Sequence, residues 1–284
     1  MIDTELTRRF GLIFPIIGHP EPWTATGHLA AEVSKAGALG MIGAGPCDRD
    51  WIKAQFDAAE DNSVGCGLYC NRLELEPEML DFVLSLHPRA IYLSDGDPRP
   101  YAETIRKHRC RLICQTRSMD EIDNILEAGA EIVVIRGNGE DRSNSAETTF
   151  SLVPEASDYL YSRDDEVILV ASGGVMDARG MAAMITLGAD GVCIGRRIWA
   201  TQESPLSGKT LVQELGPHTT FAEHVLPVQS LLRTMGSKAE RILSHMPRKI
   251  IKEPPGPGAI GELGQDFVLE DQSKPRPGED QNDR

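Results

Sequence analysis

Short apolar runs recur at intervals along the first two thirds of the chain, and more polar segments with helical spacing separate them. The runs cover residues 12–17, 39–42, 64–69, 90–93, 111–114, 132–135, 167–171 and 191–194. Most are continuous rather than alternating, as is typical of parallel strands that are buried on both faces. Strand–helix units repeated in this way predict an α/β fold, a (β/α)8 TIM barrel, with an open doubly wound sheet as the alternative.

The pattern changes after residue 205. Residues 206–250 have apolar positions at helical spacing, interrupted by Pro227, which should break or kink a helix. Residues 251–284 are polar and rich in proline, glycine and acidic side chains, a composition typical of disorder. The sequence therefore predicts a barrel over residues 1–205, a C-terminal helical extension over residues 206–250 and a disordered acidic tail over residues 251–284.

The chain has 29 basic and 43 acidic residues, which give a formal net charge of −14. This balance argues against nucleic acid or an anionic membrane as a partner, because both attract basic surfaces. No apolar run approaches the roughly 20 residues that span a bilayer, and the start of the chain does not resemble a secretory signal. We therefore expect a cytoplasmic protein with a small-molecule substrate. The six cysteines lack the spacing of a zinc site, so no metal is expected, and a homo-oligomer is left open.

Glycines follow two predicted strands at positions where barrels often bind phosphate. Gly173 and Gly174 follow the seventh strand, and Gly195 follows the eighth, with Arg196 directly after it. Residues without side chains let backbone N–H groups approach phosphate oxygens closely, and an arginine adds a full positive charge. Either glycine element alone is also consistent with a tight turn. Together, on these two strands, they predict a phosphate site.

Several segments resemble the nitronate monooxygenase (2-nitropropane dioxygenase) family of FMN-dependent barrels. They include LAAEVSKAGALGMIGAG over residues 29–45, TRSMDEIDNILEAGAEIVVIRG over 116–137 and VILVASGGVMDARGMAAMITLGADGVCIGRRIWATQES over 167–204. The last segment is shared with the related flavin-dependent enoyl reductases. The resemblance implies FMN as the cofactor, with its phosphate held by Gly173, Gly174, Gly195 and Arg196.

The loop after the first strand departs from the pattern of that family, with only Pro20 retained, and so do three later positions. Gly67 stands where the third strand usually carries an asparagine that touches the cofactor. Arg136 replaces a glutamine at the end of the sixth strand, and Ser143 or Asn144 takes the place of the histidine that is the catalytic base. The resemblance therefore implies a retained cofactor site, with Gly67 beside the flavin, and a rewritten catalytic site.

His19, Glu21 and Arg136 are the candidates for the altered catalytic chemistry. His19 directly follows the first strand, so it should lie at the catalytic end of the barrel, where an imidazole could serve as the base. Glu21 lies beside it and could act as a base if it were desolvated. Arg136 could hold an anionic substrate or the N1–C2 carbonyl edge of the flavin. For each of them, a turn, a solvated loop or a salt bridge is the alternative.

These observations predict an FMN-dependent oxidoreductase that resembles nitronate monooxygenases and acts on a small, anionic organic molecule such as a nitronate. One alternative is a flavin-dependent enoyl or NAD(P)H reductase of the same superfamily. Another is a non-redox isomerase or lyase on the same barrel, and a third is a non-catalytic flavin-binding scaffold.

Overall fold

A computed structural model of the chain describes residues 2–137, 147–163, 166–206 and 226–245. The strands in these ranges are β1 (Ile16–Gly18), β2 (Met41–Gly43), β3 (Gly65–Tyr69), β4 (Ala90–Ser94), β5 (Arg111–Thr116), β6 (Ile132–Arg136), β7 (Ile168–Ser172) and β8 (Gly191–Ile194). All pairs are parallel, in the order β1-β8-β7-β6-β5-β4-β3-β2. A parallel bridge between Ile17 and Leu39 joins the two ends of the sheet, so the predicted (β/α)8 barrel is confirmed.

Helices connect successive strands, and several begin at a side chain that caps them. Thr26, Asp48, Thr148 and Asp177 each accept a hydrogen bond from a backbone N–H of the following helix. The described helices are α1 (Glu5–Phe10), α2 (Gly27–Lys35), α3 (Arg49–Ala59), α4 (Cys70–Leu75), α5 (Glu78–Ser85), α6 (Arg99–Lys107), α7 (Ile122–Glu127), α8 (Thr149–Ser162), α9 (Ala178–Thr186), α10 (Arg196–Trp199) and α11 (Val228–Ser244). No helix of the described ranges has the length and apolar character needed to cross a membrane.

Helix α1 fills the end of the barrel at which the strands begin. Leu6 and Phe10 are buried in one apolar cluster with Tyr92 and Val134, which face the barrel interior. The guanidinium of Arg111, at the start of β5, lies 4.3 Å from the centre of the Phe10 ring. Nothing in the apolar periodicity predicts this plug.

Strand β1 is shorter than the apolar run over residues 12–17 predicts. Pro15 has no N–H group with which to pair, and the N–H groups of Ile13 and Phe14 both donate to the carbonyl of Gly37. The strand therefore begins at Ile16 and ends at Gly18. This register places the next residue, His19, at the carboxyl-end rim of the barrel.

Helix α11 lies within the predicted extension and packs against α9 and α2. It begins directly after Pro227, the residue expected to interrupt the helical pattern. Gly236 faces the ring of Phe14 so closely that a Cβ there would lie 2.5 Å from Cε1. The helix therefore shares the barrel's apolar core. The division at residue 205 stays a prediction, and residues 207–225 and 246–284 lie outside the described residues.

Candidate active site

The carboxyl ends of the strands surround a cavity of about 320 Å³. Its walls come from residues at or just after the ends of β1, β3, β4, β5 and β6. This end of a (β/α)8 barrel is where ligands bind, and small-molecule pockets typically occupy roughly 300–1,000 Å³. Four of the residues predicted from the sequence line the cavity: His19, Glu21, Gly67 and Arg136.

Residues 19–22, which we call the strap, cross the ends of β2 and β3. Two glycines let the strap approach these strands. A Cβ on Gly67 would lie 2.5 Å from Cγ of Pro20, and a Cβ on Gly43 would lie 2.8 Å from the carbonyl oxygen of Pro20. Both distances are well below the roughly 3.5 Å of a normal contact. Gly67 is thus a packing glycine in the cavity wall, and its contact with a cofactor stays a prediction.

The ring of His19 is fixed in place by its surroundings. Its backbone N–H donates to the carbonyl of Ile194 at 2.9 Å, which anchors the residue to the end of β8. Its ring packs edge-on against Tyr92 and Trp199, with centroid distances of 6.0 and 6.2 Å. Only 11% of the side-chain surface is exposed. The imidazole is therefore held between these two rings at the carboxyl end of the barrel.

The contacts of His19 determine which ring nitrogen carries the proton. Nε2 lies 3.3 Å from Nη1 of Arg136. A guanidinium can only donate, so Nε2 is the acceptor, and the proton of the neutral ring is on Nδ1. Nδ1 is buried and has no hydrogen-bond partner in the described part of the chain; Oε2 of Glu21 lies 3.7 Å away.

Burial and, to a smaller extent, the positive charge of Arg136 lower the pKa of His19 to about 3. The ring is consequently neutral throughout the physiological pH range. A base with this pKa takes up a proton poorly, so the predicted role as a base that titrates near neutrality finds no support in this arrangement.

Glu21 lies in the strap at the edge of the cavity. Its backbone N–H donates to the carbonyl of His19 at 2.9 Å, and its side chain keeps 40% of its surface exposed. The predicted role of Glu21 as a base required a desolvated carboxylate, and this side chain is too exposed to meet that requirement. Its carboxylate still lies beside the imidazole, at the entrance to the cavity.

Two arginines face the cavity from neighbouring strands. Arg136 is the last residue of β6, as predicted, and Arg117 follows β5 directly. Both are half-buried, and neither forms an ion pair with a carboxylate within the described ranges. Arg117 is missing from the sequence-based candidates, although its place just after a strand is the signal that marks His19. Residues 138–146 lie outside the described residues and include Ser143 and Asn144.

A buried polar pair forms the floor of the cavity. The hydroxyl of Tyr92 donates to Oε1 of Gln115 at 2.7 Å, and both side chains line the cavity. Burial raises the pKa of Tyr92 well above its usual value, so the phenol stays protonated. Neither residue was among the predicted candidates. Both lie at inward-facing positions of β4 and β5, in strands that are otherwise largely apolar. A polar residue at an inward-facing position of a strand is the signal that could have identified them.

The predicted phosphate loops have the backbone that glycine allows. Gly173 and Gly174 have φ of +98° and +75°, in the left-handed region. A Cβ on Gly173 would lie 2.8 Å from Oγ1 of Thr149, whose hydroxyl donates to the carbonyls of Ser172 and Gly173. A Cβ on Gly174 would meet nothing within 4 Å. Gly173 is therefore packed against the start of α8, whereas Gly174 borders open space.

These loops fit the phosphate of a cofactor. In the described part of the chain, the N–H groups of Gly173, Gly174 and Gly195 donate to no protein acceptor. Unpaired N–H groups at the ends of two adjacent strands are the donors that a phosphate requires. Arg196 is half-buried beside them, and burial together with the charge of Arg136 lowers its pKa. The N-terminus of α9 has fewer N–H groups to offer a phosphate, because the carboxylate of Asp177 already accepts those of Arg179 and Gly180.

Comparison with known proteins gives consistent matches. The family model described as nitronate monooxygenase matches residues 76–215. A nitronate monooxygenase of Neurospora crassa is 28% identical over 229 residues, which are 66% of this chain and 61% of that protein. A probable nitronate monooxygenase of Staphylococcus saprophyticus is 25% identical over 255 residues, which are 72% of this chain and 70% of that protein. The chain thus spans about three fifths of the length of the first relative.

Solved structures match the fold at low sequence identity. FabK from Thermotoga maritima has a TM-score of 0.72 and 20% identity, with 86% of this chain and 98% of that chain covered. A nitroalkane oxidase from Streptomyces ansochromogenes has a TM-score of 0.64 and 16% identity, with 84% and 99% covered. At these identities the likeness supports the barrel architecture alone.

Proposed function

Because this chain belongs to the nitronate monooxygenase family, as its sequence motifs predict, we propose that it is an FMN-dependent oxidoreductase that acts on a small organic anion such as a nitronate. The observation that carries the proposal is the cavity at the carboxyl ends of the strands. It has two arginines without carboxylate partners in the described ranges. Two glycine loops with unpaired N–H groups follow β7 and β8 at the same end of the barrel, although they do not line the cavity.

The backbone N–H groups of Gly173, Gly174 and Gly195 would hold the phosphate of FMN, and Arg196 would add a positive charge beside it. Bound FMN would supply the two-electron redox chemistry. Gly67 and the strap would form part of the wall against which the cofactor lies.

The chain's own side chains would handle the substrate. Arg136 and Arg117 would bind its negative charge, because guanidinium groups donate paired hydrogen bonds to planar oxyanions. His19 would act as a neutral hydrogen-bonding group rather than as a charged acid. Glu21 lies at the cavity entrance, where its part in proton transfer stays a prediction. The proposal places the enzyme in the cytoplasm and leaves its oligomeric state open.

The visible spectrum of the purified full-length protein, with and without added FMN, is the first test. Yellow bound flavin is the expected result, and a colourless protein that ignores added FMN would refute the proposal. Anaerobic mixing with ethyl nitronate should then bleach the flavin. Bleaching by NADPH alone would instead indicate a reductase, and bound flavin that neither reagent reduces would indicate non-redox chemistry or a scaffold.

Replacing Arg136 with glutamine tests the anion site within the same assay. Loss of a charged hydrogen bond typically weakens binding by about 10- to 100-fold, so the nitronate concentration for half-maximal bleaching should rise by that factor. Arg8→Gln is the matched control, because Arg8 lies on α1 at the opposite end of the barrel with half of its surface exposed. An equal effect of the two substitutions would exclude a direct role for Arg136.

A further inference from the structure

His19 and Arg136 meet across the mouth of the barrel from strands that are not neighbours. His19 follows β1, whereas Arg136 ends β6, and the order of strands places β8 and β7 between them. Their contact, 3.3 Å between Nε2 and Nη1, is therefore made by side chains that reach over the cavity floor. Such a contact constrains the long, flexible arginine more than the short imidazole.

We propose that His19 is a positioning residue whose neutral ring accepts a hydrogen bond from Arg136 at Nε2 and holds that guanidinium beside Arg117, so that the two arginines together bind the planar oxyanion of the substrate. The inference deepens the proposed function, and it rests on that function only in taking the anion to be the substrate.

The surroundings of His19 suit this role. The ring cannot turn away, because Tyr92 and Trp199 pack against it and its backbone is bonded to β8. It must also be uncharged to accept from a guanidinium, and burial keeps it so. A ring that is fixed and neutral is a poor general base but a good support for a cation.

Glu21 and Asp95 line the cavity together with the two arginines, so the partners of each arginine, and not the net charge of the lining, indicate where an anion would bind. Arg136 has His19 as its hydrogen-bond partner, and this partner does not neutralise its charge. Arg117 lines the same cavity from the adjacent strand end. Within the described residues, neither half-buried guanidinium has a carboxylate within ion-pair distance. A planar oxyanion would accept paired hydrogen bonds from them.

Nitrogen NMR of the full-length protein with ¹⁵N-labelled histidine tests the first half of the inference. We expect His19 to carry its proton on Nδ1 and to show no titration between pH 5 and pH 8. Arg136→Gln should change the ¹⁵N signal of Nε2 but not the signals of the other histidines. His28→Gln, at an exposed site on α2, provides the assignment control. A proton on Nε2, or titration near the usual pKa of about 6.5, would overturn the proposal.

Acetate titrations, followed by calorimetry, test whether the two residues act together. We expect His19→Leu to weaken acetate binding about fivefold or more, as Arg136→Gln does, because each removes one side of a charged hydrogen bond. The double variant should bind no more than about twofold worse than Arg136→Gln alone, since coupled residues are not additive. His19→Gln, which keeps an acceptor oxygen near the place of Nε2, should restore most of the affinity. Independent, additive losses, or unchanged affinity in His19→Leu, would contradict the positioning role.

The same titration with FMN added separates this inference from the proposed function. If the arginines bind the substrate, acetate affinity should persist in the presence of FMN. Loss of acetate binding on addition of FMN would show that the cofactor itself takes the arginines, and it would overturn the assignment to substrate. A protein that ignores FMN would refute the proposed function, while the histidine signals would still decide the inference. If His19→Leu does not fold, the ¹⁵N signals of His19 in the unsubstituted protein and in Arg136→Gln still test the inference.

Discussion

Substituting Gly67 tests whether the strap lies on β3 as the structure places it. In Gly67→Ala the new methyl carbon would lie 2.5 Å from Cγ of Pro20, about 1 Å inside a normal carbon–carbon contact. Pro20 has little room to retreat, because the preceding residue, His19, is bonded to the carbonyl of Ile194. The strap must therefore shift or the strand must bend.

Overpacking of this kind typically lowers the free energy of unfolding by about 1–3 kcal/mol. At roughly 2–4 °C per kcal/mol for a chain of this size, Tm should fall by about 2–12 °C. Thermal unfolding and urea titration both measure the change. Gly67→Asn, which introduces the residue typical of the family at this position, adds the same Cβ and an amide. It should be destabilised at least as much as Gly67→Ala, and it should bind FMN more weakly than the unsubstituted protein.

Gly180→Ala provides the matched control. Its Cβ would meet Val175 at 3.6 Å, an ordinary contact, and Gly180 lies within α9. Alanine is favoured over glycine in a helix by about 0.5–1 kcal/mol, so this variant should be as stable as the unsubstituted protein or slightly more stable. If Gly67→Ala matches Gly180→Ala in stability, Pro20 does not pack on Gly67, and the account of the strap is wrong.

Two further substitutions test the phosphate loop and the plug. Gly173→Ala should lose more stability and more FMN affinity than Gly174→Ala, because both residues have positive φ but only Gly173 is packed against Thr149. Denaturant titrations and FMN binding measure the difference, and equal losses would contradict this packing. Leu6→Ala should lower the free energy of unfolding by about 2–5 kcal/mol, because it empties a buried site inside the barrel. Leu75→Ala, at a residue that is 78% exposed, should change it by less than about 0.5 kcal/mol, and similar effects would mean that α1 does not fill the barrel.

The barrel strands are predictable because parallel strands buried on both faces leave a continuous apolar run. For β8 the predicted and observed ends coincide, at Gly191 and Ile194. For β1 they do not, because apolar character extends to Leu12 whereas pairing cannot begin before Pro15. An apolar run indicates which residues are buried. The position at which a strand begins or ends depends also on which backbone N–H groups can pair.

Helix α1 was unpredictable for a different reason. Its six residues include Arg8 and Arg9, and its two apolar side chains, Leu6 and Phe10, are too few to distinguish a helix by pattern. Their burial depends on the hole that eight strands leave at one end of the barrel, which is a property of the assembled fold. Short helices take most of their stability from such tertiary packing.

The candidate site was predictable in position and not in chemistry. His19 and Arg136 are recognisable because they follow or end predicted strands, and the structure brings them to one cavity. Their contact depends on how far each side chain reaches over the floor formed by Tyr92 and Gln115. The order of residues along the chain does not give that distance. The low pKa of His19 in turn depends on burial and on that contact. A role inferred from the usual pKa of a free imidazole therefore changes once the neighbours are known.

The acidic charge of the whole chain does not conflict with an anionic substrate. A net charge of −14 slows the approach of an anion through its long-range field, but salt screens that field beyond about 8 Å at physiological ionic strength. Binding is decided within that distance, where Arg117 and Arg136 face the cavity and the neutral His19 leaves their charge intact. A histidine that titrated near neutrality at this place would add a second positive charge against Arg136 at low pH. The burial of His19 removes that variation, so the ring adds no charge beside Arg136 from pH 5 to pH 8.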